Sequence, residues 1–348
     1  MALPGAMRAA VYKEPRVLAI EQRPVPEIGP GDVLLEVSHC GVCGTDLHLV
    51  LEGMGAPGSI GGHEFSGRIV AVGAEVSDWQ VGDAVVGGAS GGCGRCVYCR
   101  ARRPSLCFER SAYDPGFQGA FADYKKLPAS ELLRVPESVS LREAALAEPL
   151  AVALHALTIG RVEPGQRALV TGAGPLGLLV VAALRARGVD DLVVSEPSEV
   201  RRERAGRLGA TALLKPEELD APPMPFTVVE RPFDVAFECS GNPHATEAAL
   251  AQLAPAATLV IVGTGMRRPR LDHNRVLMNE LIVTGAYCYD ADGFSDALAL
   301  LESDALPTEL LIEPDDVPLD GLFDALCQLE RQERAGKVMI VPRPQTEE

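Results

Sequence analysis

Two short stretches between Cys40 and Glu64 carry side chains that could do chemistry: Cys43-Gly44-Thr45-Asp46-Leu47-His48 and, after a glycine-rich turn, Gly61-Gly62-His63-Glu64. Thiolate, imidazole and carboxylate are the side chains that bind zinc, and a catalytic zinc keeps one position open for water or substrate. A hydroxyl two residues after the cysteine, Thr45, can reach that position. An imidazole three residues further on, His48, can pass a proton from it to solvent. The competing reading makes Cys43 a small buried residue and His63 a satisfied core histidine.

Later stretches weigh against that reading. Cys93, Cys96, Cys99 and Cys107 fall within 15 residues. Such spacing lets one loop wrap a tetrahedral ion, and four thiolates close the coordination sphere, which defines a structural zinc site. A redox pair needs only two cysteines. Four thiolates around Zn²⁺ leave a local charge of about −2, and the same loop carries Arg95, Arg100, Arg102 and Arg103. These arginines are expected to offset that charge; the alternative is a solvated basic face. Glu148-Pro149 opens an apolar run to His155. Pro149 suits the first turn of a helix, which places Glu148 at the helix's N-terminal edge. As a ligand, Glu148 would complete a set with Cys43, His63 and Glu64. His155 reads as core packing or a local hydrogen bond.

From residue 167 the pattern becomes βαβ. The strand Arg167–Thr171 runs into Gly172-Ala173-Gly174-Pro175-Leu176-Gly177 and an apolar helix, and the next strand ends in Glu196, 19 residues after Gly177. In this context the glycines mark a dinucleotide turn, with the pyrophosphate at the helix N-terminus. Glu196 is expected to bind the adenosine ribose and to repel a 2′-phosphate, favouring NAD over NADP. Arg201 and Arg202 stand nearby, either as phosphate acceptors or as a solvated helix face. Further strands are expected at 211–214, 234–239, 257–263 and 280–286, which gives a doubly wound parallel sheet. Asn242-Pro243 marks a helix start.

The elements that must position these groups are short strands between Pro/Gly turns over residues 7–38, then near 67–73, 81–87 and 121–127, which argue for a small β-barrel. Metal-type residues then fall at strand ends and in loops. After Tyr287 come helices at 293–303 and 319–332 and a closing strand, 337–341, expected to return to the first sheet.

The chain has 348 residues, enough for two domains. Its net charge is −16, from 48 acidic and 32 basic residues, which disfavours nucleic acid and anionic membranes as partners. No apolar run is long enough to span a bilayer, and residues 1–6 are too short for a hydrophobic signal core, reading instead as a tail before the native start. Of nine cysteines, five occupy metal positions; Cys40, Cys239, Cys288 and Cys327 are left over. That usage fits a reducing cytoplasm better than a disulfide framework.

Taken together, the Cys43–His48 stretch, Gly62-His63-Glu64, the four-cysteine lobe, Glu148-Pro149, the Gly172–Gly177 turn with Glu196 and the Gly336-Lys337-Val338 ending resemble the zinc-dependent medium-chain dehydrogenase/reductase family over nearly the whole chain. Glu148-Pro149-Leu150 and Tyr287-Cys288-Tyr289 are most similar to the sorbitol/butanediol dehydrogenase branch. The resemblance implies an α/β fold: a GroES-like catalytic domain (7–152, with the zinc lobe at about 91–109), a Rossmann NAD-binding domain (153–286) and a C-terminal return to the catalytic domain (287–348). It implies two zinc ions per subunit and a homodimer or homotetramer joined through Rossmann edge strands. Val262, Gly263 and Thr264, with Tyr287, Cys288 and Tyr289, are the further cofactor contacts expected.

The implied reaction is reversible hydride transfer between NAD and a secondary alcohol or vicinal diol. Thr45 holds the substrate oxygen and His48 relays the proton. Cys43 with both glutamates would bring three anionic ligands to a +2 ion, so one of Glu64 and Glu148 is expected to give way to water. Leu49 stands where sorbitol dehydrogenases carry tyrosine and Cys288 where they carry arginine, which points away from sorbitol toward a smaller or less hydroxylated alcohol. The alternatives are a sugar 1-dehydrogenase or another alcohol/aldehyde dehydrogenase of the family, and, in another class, a nucleotide-binding protein without turnover.

Overall fold

A computed structural model describes residues 3–88, 92–109 and 118–343. β1 (Ala6–Glu14) and β2 (Val17–Pro24) form an antiparallel hairpin. β3 (Asp32–Gly41), helix α1 (Gly44–Val50), β4 (Glu64–Val72) and β5 (Ala84–Gly87) follow. The cysteine lobe holds one short helix, α2 (Val97–Arg100), before β6 (Tyr124–Pro128) and β7 (Leu132–Arg134). With α3 (Leu141–Ala144) and α4 (Ala147–Ile159) the chain crosses to the second half.

That half alternates β8 (Arg167–Thr171), α5 (Pro175–Ala186), β9 (Asp191–Ser195), α6 (Glu199–Arg207) and β10 (Ala212–Leu214). It continues with β11 (Phe233–Glu238), α7 (Pro243–Ala251), β12 (Leu253–Ile261), α8 (His273–Met278) and β13 (Ile282–Gly285). The six strands are all parallel in the order β10-β9-β8-β11-β12-β13. The order reverses between β8 and β11, and a ligand crevice opens at such a switch point, outside the strands' carboxyl ends.

α9 (Gly293–Glu302) and α10 (Thr308–Leu311) then pack on the second half, while β14 (Val317–Pro318), α11 (Leu322–Glu330) and β15 (Met339–Val341) return to the first. β15 pairs antiparallel with β3 through Met339↔Gly41 and Ile340↔Cys40, so the first sheet runs β14-β15-β3-β4-β5-β7, with β6 also on β3. The closing strand thus lands where its period-2 pattern requires. The helix expected over 319–332 is shorter, because Leu319–Gly321 form a separate 3₁₀ turn before α11. The expected boundary at 152/153 falls inside α4. Leu150 and Ala153 are both fully buried in one apolar core with Leu178, Val181 and Phe237 of the parallel-sheet half. A second core, including Val33, Ile69, Phe121, Leu326 and Ile340, lies under the first sheet.

The lobe arginines also meet carboxylates, while Arg95 is held above its ordinary value first by Glu109 and then by Cys93 and Cys107. Arg95 is bridged to Glu109, Arg103 to Asp290 at 3.4 Å and Arg102 to Asp292, and the Arg102 carbonyl accepts from the Ala291 N–H at 3.1 Å. Three of the four are committed to carboxylates, and two of those stitch the lobe to the segment after β13. His155, buried in α4, meets the same Asp290 at 3.5 Å.

Candidate active site

Antiparallel register brings the first metal-type residues together. Gly41 at the end of β3 faces Glu64 at the start of β4, so Cys43 and His63, just beyond, converge. The Cys43 thiol, a His63 ring nitrogen and a Glu64 carboxylate oxygen lie within 4.8 Å of one another. Thr45 and His48 are on α1. Cys43 caps α1, and its N–H donates to Asp46 Oδ2 at 2.9 Å, which fixes the turn. The threonine hydroxyl lies 3.6 Å from the Cys43 sulfur.

Electrostatics mark this as a cation site. Glu64 is 1% exposed, and its Oε2 has no hydrogen-bond partner among the described residues. Such an orphaned buried oxygen is costly unless something else meets it. Burial pushes His63 down, but Cys43, Asp46 and Glu148 outweigh it and hold the imidazole well above its ordinary value. The second Asp46 oxygen, also orphaned, stands 4.0 Å from His63 Nδ1, where it can orient the ring. Sulfur, nitrogen and oxygen donors converging beside an unpartnered Glu64 oxygen fit zinc, with three protein ligands and an open fourth position.

Glu148 is not in that group. It is buried in the first turn of α4 and lines the same cavity, near enough to raise His63. α4 belongs to the parallel-sheet core while also touching β4, and its carboxylate lies outside the group of three converging donors. Lys337, given no role from sequence, is 2% exposed and donates from Nζ to Glu64 Oε1 at 2.7 Å and to the Val42 carbonyl at 3.1 Å. A lysine inside an apolar closing strand was the available signal.

In the lobe, the four cysteine sulfurs lie within 4.8 Å of one another. Backbone N–H groups point at them: Cys93 to the Cys107 sulfur and Cys96 to the Cys93 sulfur, each at 3.3 Å. The Cys99 N–H, donating to the Cys96 sulfur, leads in lowering that thiol to about 6. Donors of this kind stabilise thiolates, the form that binds metal.

A cavity of about 1730 Å³ runs from Cys43, Thr45, His48 and His63 to Gly172, Gly174 and Glu196. Gly172 has φ +91°, and a Cβ on Gly177 would sit 1.9 Å from the Gly172 carbonyl oxygen, so both are required by the turn itself. Gly172, Gly174, Pro175 and Leu176 line the cavity, as do Val262, Gly263, Thr264, Tyr287 and Cys288. Gly177 does not, because it packs against the turn. Tyr289 does not either: it is buried, edge-on to Phe294 with centroids 5.0 Å apart. Its neighbour Cys288 adopts φ +53°, unusual for a residue with a Cβ.

Glu196 lines the cavity while accepting from the Ala173 N–H at 2.7 Å and the Ser198 N–H at 2.9 Å. Arg201 also lines the cavity, but it donates to the Arg334 and Leu329 carbonyls. Arg202 donates to the carbonyls of Glu196 and Pro197. Glu238, at the end of β11, holds the neighbouring turn through the Ser240 and Gly241 N–H groups, a part sequence reading missed.

A parallel dinucleotide sheet facing a Cys/His/Glu donor set across one cavity defines a zinc-binding dehydrogenase. Residues 29–137 match the model for the alcohol dehydrogenase GroES-like domain and residues 175–303 that for the zinc-binding dehydrogenase. Sorbitol dehydrogenase of Bacillus subtilis (strain 168) is 34% identical, with 98% of each chain covered. The structure of 2R,3R-butanediol dehydrogenase from Bacillus subtilis superposes with a TM-score of 0.84 at 29% identity, over 97% of this chain and 100% of that one. A Sinorhizobium meliloti 1021 protein solved bound to NADP gives 0.86 at 28% identity, over 97% and 100%. The chain belongs to the zinc-dependent medium-chain dehydrogenase/reductase family, in its sorbitol/butanediol dehydrogenase-like branch. It is an alcohol/polyol dehydrogenase with zinc and a nicotinamide cofactor. Among the described residues no helix is long and apolar enough to cross a membrane.

Proposed function

We propose that the protein catalyses reversible, NAD-linked oxidation of a small secondary alcohol or vicinal diol to the ketone. The observation that carries this reading is the orphaned Glu64 oxygen beside Cys43 and His63, opening on the cavity that holds the glycine turn. Zinc held by Cys43, His63 and Glu64 would supply Lewis acidity at the substrate oxygen, and a nicotinamide would supply the hydride acceptor. Thr45 holds the substrate hydroxyl and fixes its orientation. His48, three residues further along α1, takes up the proton. Lys337 neutralises one oxygen of Glu64, which leaves a ligand set less anionic than the bare carboxylates would make it. Glu148, lining the same cavity, is the alternative carboxylate.

Glu196 supports NAD over NADP, since a buried carboxylate repels a 2′-phosphate and both neighbouring arginines are committed to backbone carbonyls. Leu49 and Cys288 line the cavity without the charge or hydroxyl that would grip a long polyol. A second zinc belongs to the four-cysteine lobe. Subunits pair through the β13 edge, near which Leu277, Met278 and Ile282 are exposed. Nine free cysteines suit a cytoplasmic location.

The test is a screen of simple secondary alcohols, vicinal diols, polyols and aldoses with NAD and NADP side by side. Small diols with NAD are expected to give the highest kcat/KM, and Cys43→Ala to abolish turnover. Preference for aldoses, for NADP, or activity surviving Cys43→Ala would overturn the reading.

A further inference from the structure

His48 has two named partners, and both accept. Its Nδ1 lies 2.8 Å from Glu52 Oε2, and its Nε2 lies 3.3 Å from the Thr264 carbonyl oxygen. A neutral imidazole has one N–H and one lone pair, so it can satisfy only one of these contacts. The imidazolium satisfies both. Glu52 is half-exposed just past the C-cap of α1, four residues beyond His48, and His48, Glu52 and Thr264 all line the cavity. α11, which packs on α1, brings Glu330, but that carboxylate is bridged to Arg16 at 2.9 Å. The Thr264 loop contributes a neutral carbonyl.

We propose that Glu52 completes the proton path: it fixes the Nδ1–H tautomer of His48 and passes the departing proton to solvent. This rests on the alcohol-oxidising reading above. As the C–H hydride leaves, the O–H proton moves inward to His48 Nε2, whose lone pair is available because Glu52 holds the other nitrogen protonated. The Nδ1 proton then leaves through the Glu52 carboxylate to solvent, and His48 is left neutral as the Nε2–H tautomer. Exchange with cavity water moves that proton back to Nδ1 before the next turnover; the balance is one hydride and one proton per alcohol oxidised. The Thr264 contact forms while Nε2 carries a proton. In the Nδ1–H tautomer Nε2 faces the cavity as an acceptor. Glu52 touches His48 rather than substrate, so it is a positioning residue and a proton outlet.

Two measurements test this. In the holoenzyme, Glu52→Ala and Glu52→Gln are expected to lower kcat in the oxidation direction at least tenfold, less than the roughly 10²–10⁴-fold that a directly acting acid–base group contributes. KM should change little, and rising concentrations of added imidazole should restore kcat, because an external base substitutes for the missing outlet. In the cofactor-free protein labelled with ¹⁵N-histidine, the His48 signal, assigned by its loss in His48→Asn, should show the Nδ1–H tautomer. That tautomer should switch to Nε2–H in Glu52→Ala. An unchanged tautomer, or a kcat deficit that imidazole does not relieve, overturns the proposal. The spectrum is read without turnover, so a wild-type enzyme inactive on alcohols would condemn the functional reading while leaving the Glu52 result to stand or fall separately.

Discussion

Replacing Lys337 with methionine keeps most of the side chain's volume and deletes its charge, which isolates the buried pair. Lys337 and Glu64 are 2% and 1% exposed and meet at 2.7 Å. Burial pushes Lys337 down, yet Glu64, Cys43 and Glu148 outweigh it and hold the ammonium above its ordinary value. A raised folded-state value keeps its stabilisation in force below the unfolded lysine pKa, so the pair is intact throughout neutral pH. Breaking a buried pair by removing one partner costs about 3–5 kcal/mol, because the remaining charge is left uncompensated. At about 2.1 cal/mol/K per residue, the whole chain has an unfolding entropy of about 0.7 kcal/mol/K, and the deficit becomes about 4–7 °C in the thermal midpoint. Thermal unfolding of zinc-stripped and zinc-loaded Lys337→Met should show the larger loss in the stripped protein, where no ion supplies the missing positive charge. Adding Glu64→Gln should recover much of it, since a neutral amide leaves no orphaned charge. A single variant within a degree or so of wild type, or a double variant no better than the single, would refute the argument.

Other perturbations have outcomes as definite. Lys125 is buried and held at about 8, the effect of burial set against Cys40 and Glu131. Its folded value lies below the ordinary 10.5, so the unfolded chain binds the extra proton between them. Wild type should therefore gain stability relative to Lys125→Met by up to about 1.4 kcal/mol per pH unit across that window. Urea unfolding near pH 7.5 and near 9.5 reads this directly, and a gap independent of pH would contradict it. Cys107→Ser is expected to lose one zinc equivalent per subunit after dialysis while the Cys43 site keeps its own. Elemental analysis showing equal metal in both proteins would rule out the lobe as a zinc site.

Sequence was most informative where the chemistry is local. The Gly172–Gly177 turn and the four cysteines each lie within one loop, so spacing alone carried their geometry, and β15 announced its return by alternation. Cys43 and His63 were legible as types, but their meeting depends on the β3–β4 register. What stayed hidden involves distance or facing. Lys337 is 273 residues from Glu64, and Arg102 is 190 residues from Asp292. No local pattern encodes such pairings. Tyr289 shares its segment with Tyr287 and Cys288 but is buried in the core, because the positive φ of Cys288 turns the chain between the two tyrosines. Glu148 was rightly placed in the first turn of a helix. The depth at which α4 would be anchored was not readable from its own residues.

The position of Lys337 in the chain has a consequence for how the protein is made. Domains emerging from the ribosome fold from the N-terminal side first, so β3 and β4 are available to pair long before residue 337 is synthesised. Until β15 docks on β3, Glu64 has no counter-charge from the chain, and the strand that would shield it is missing. The nascent barrel is thus obliged to keep this corner wet or its carboxylate protonated. Arrival of the closing strand is the event that converts an open sheet into a pocket able to retain its metal.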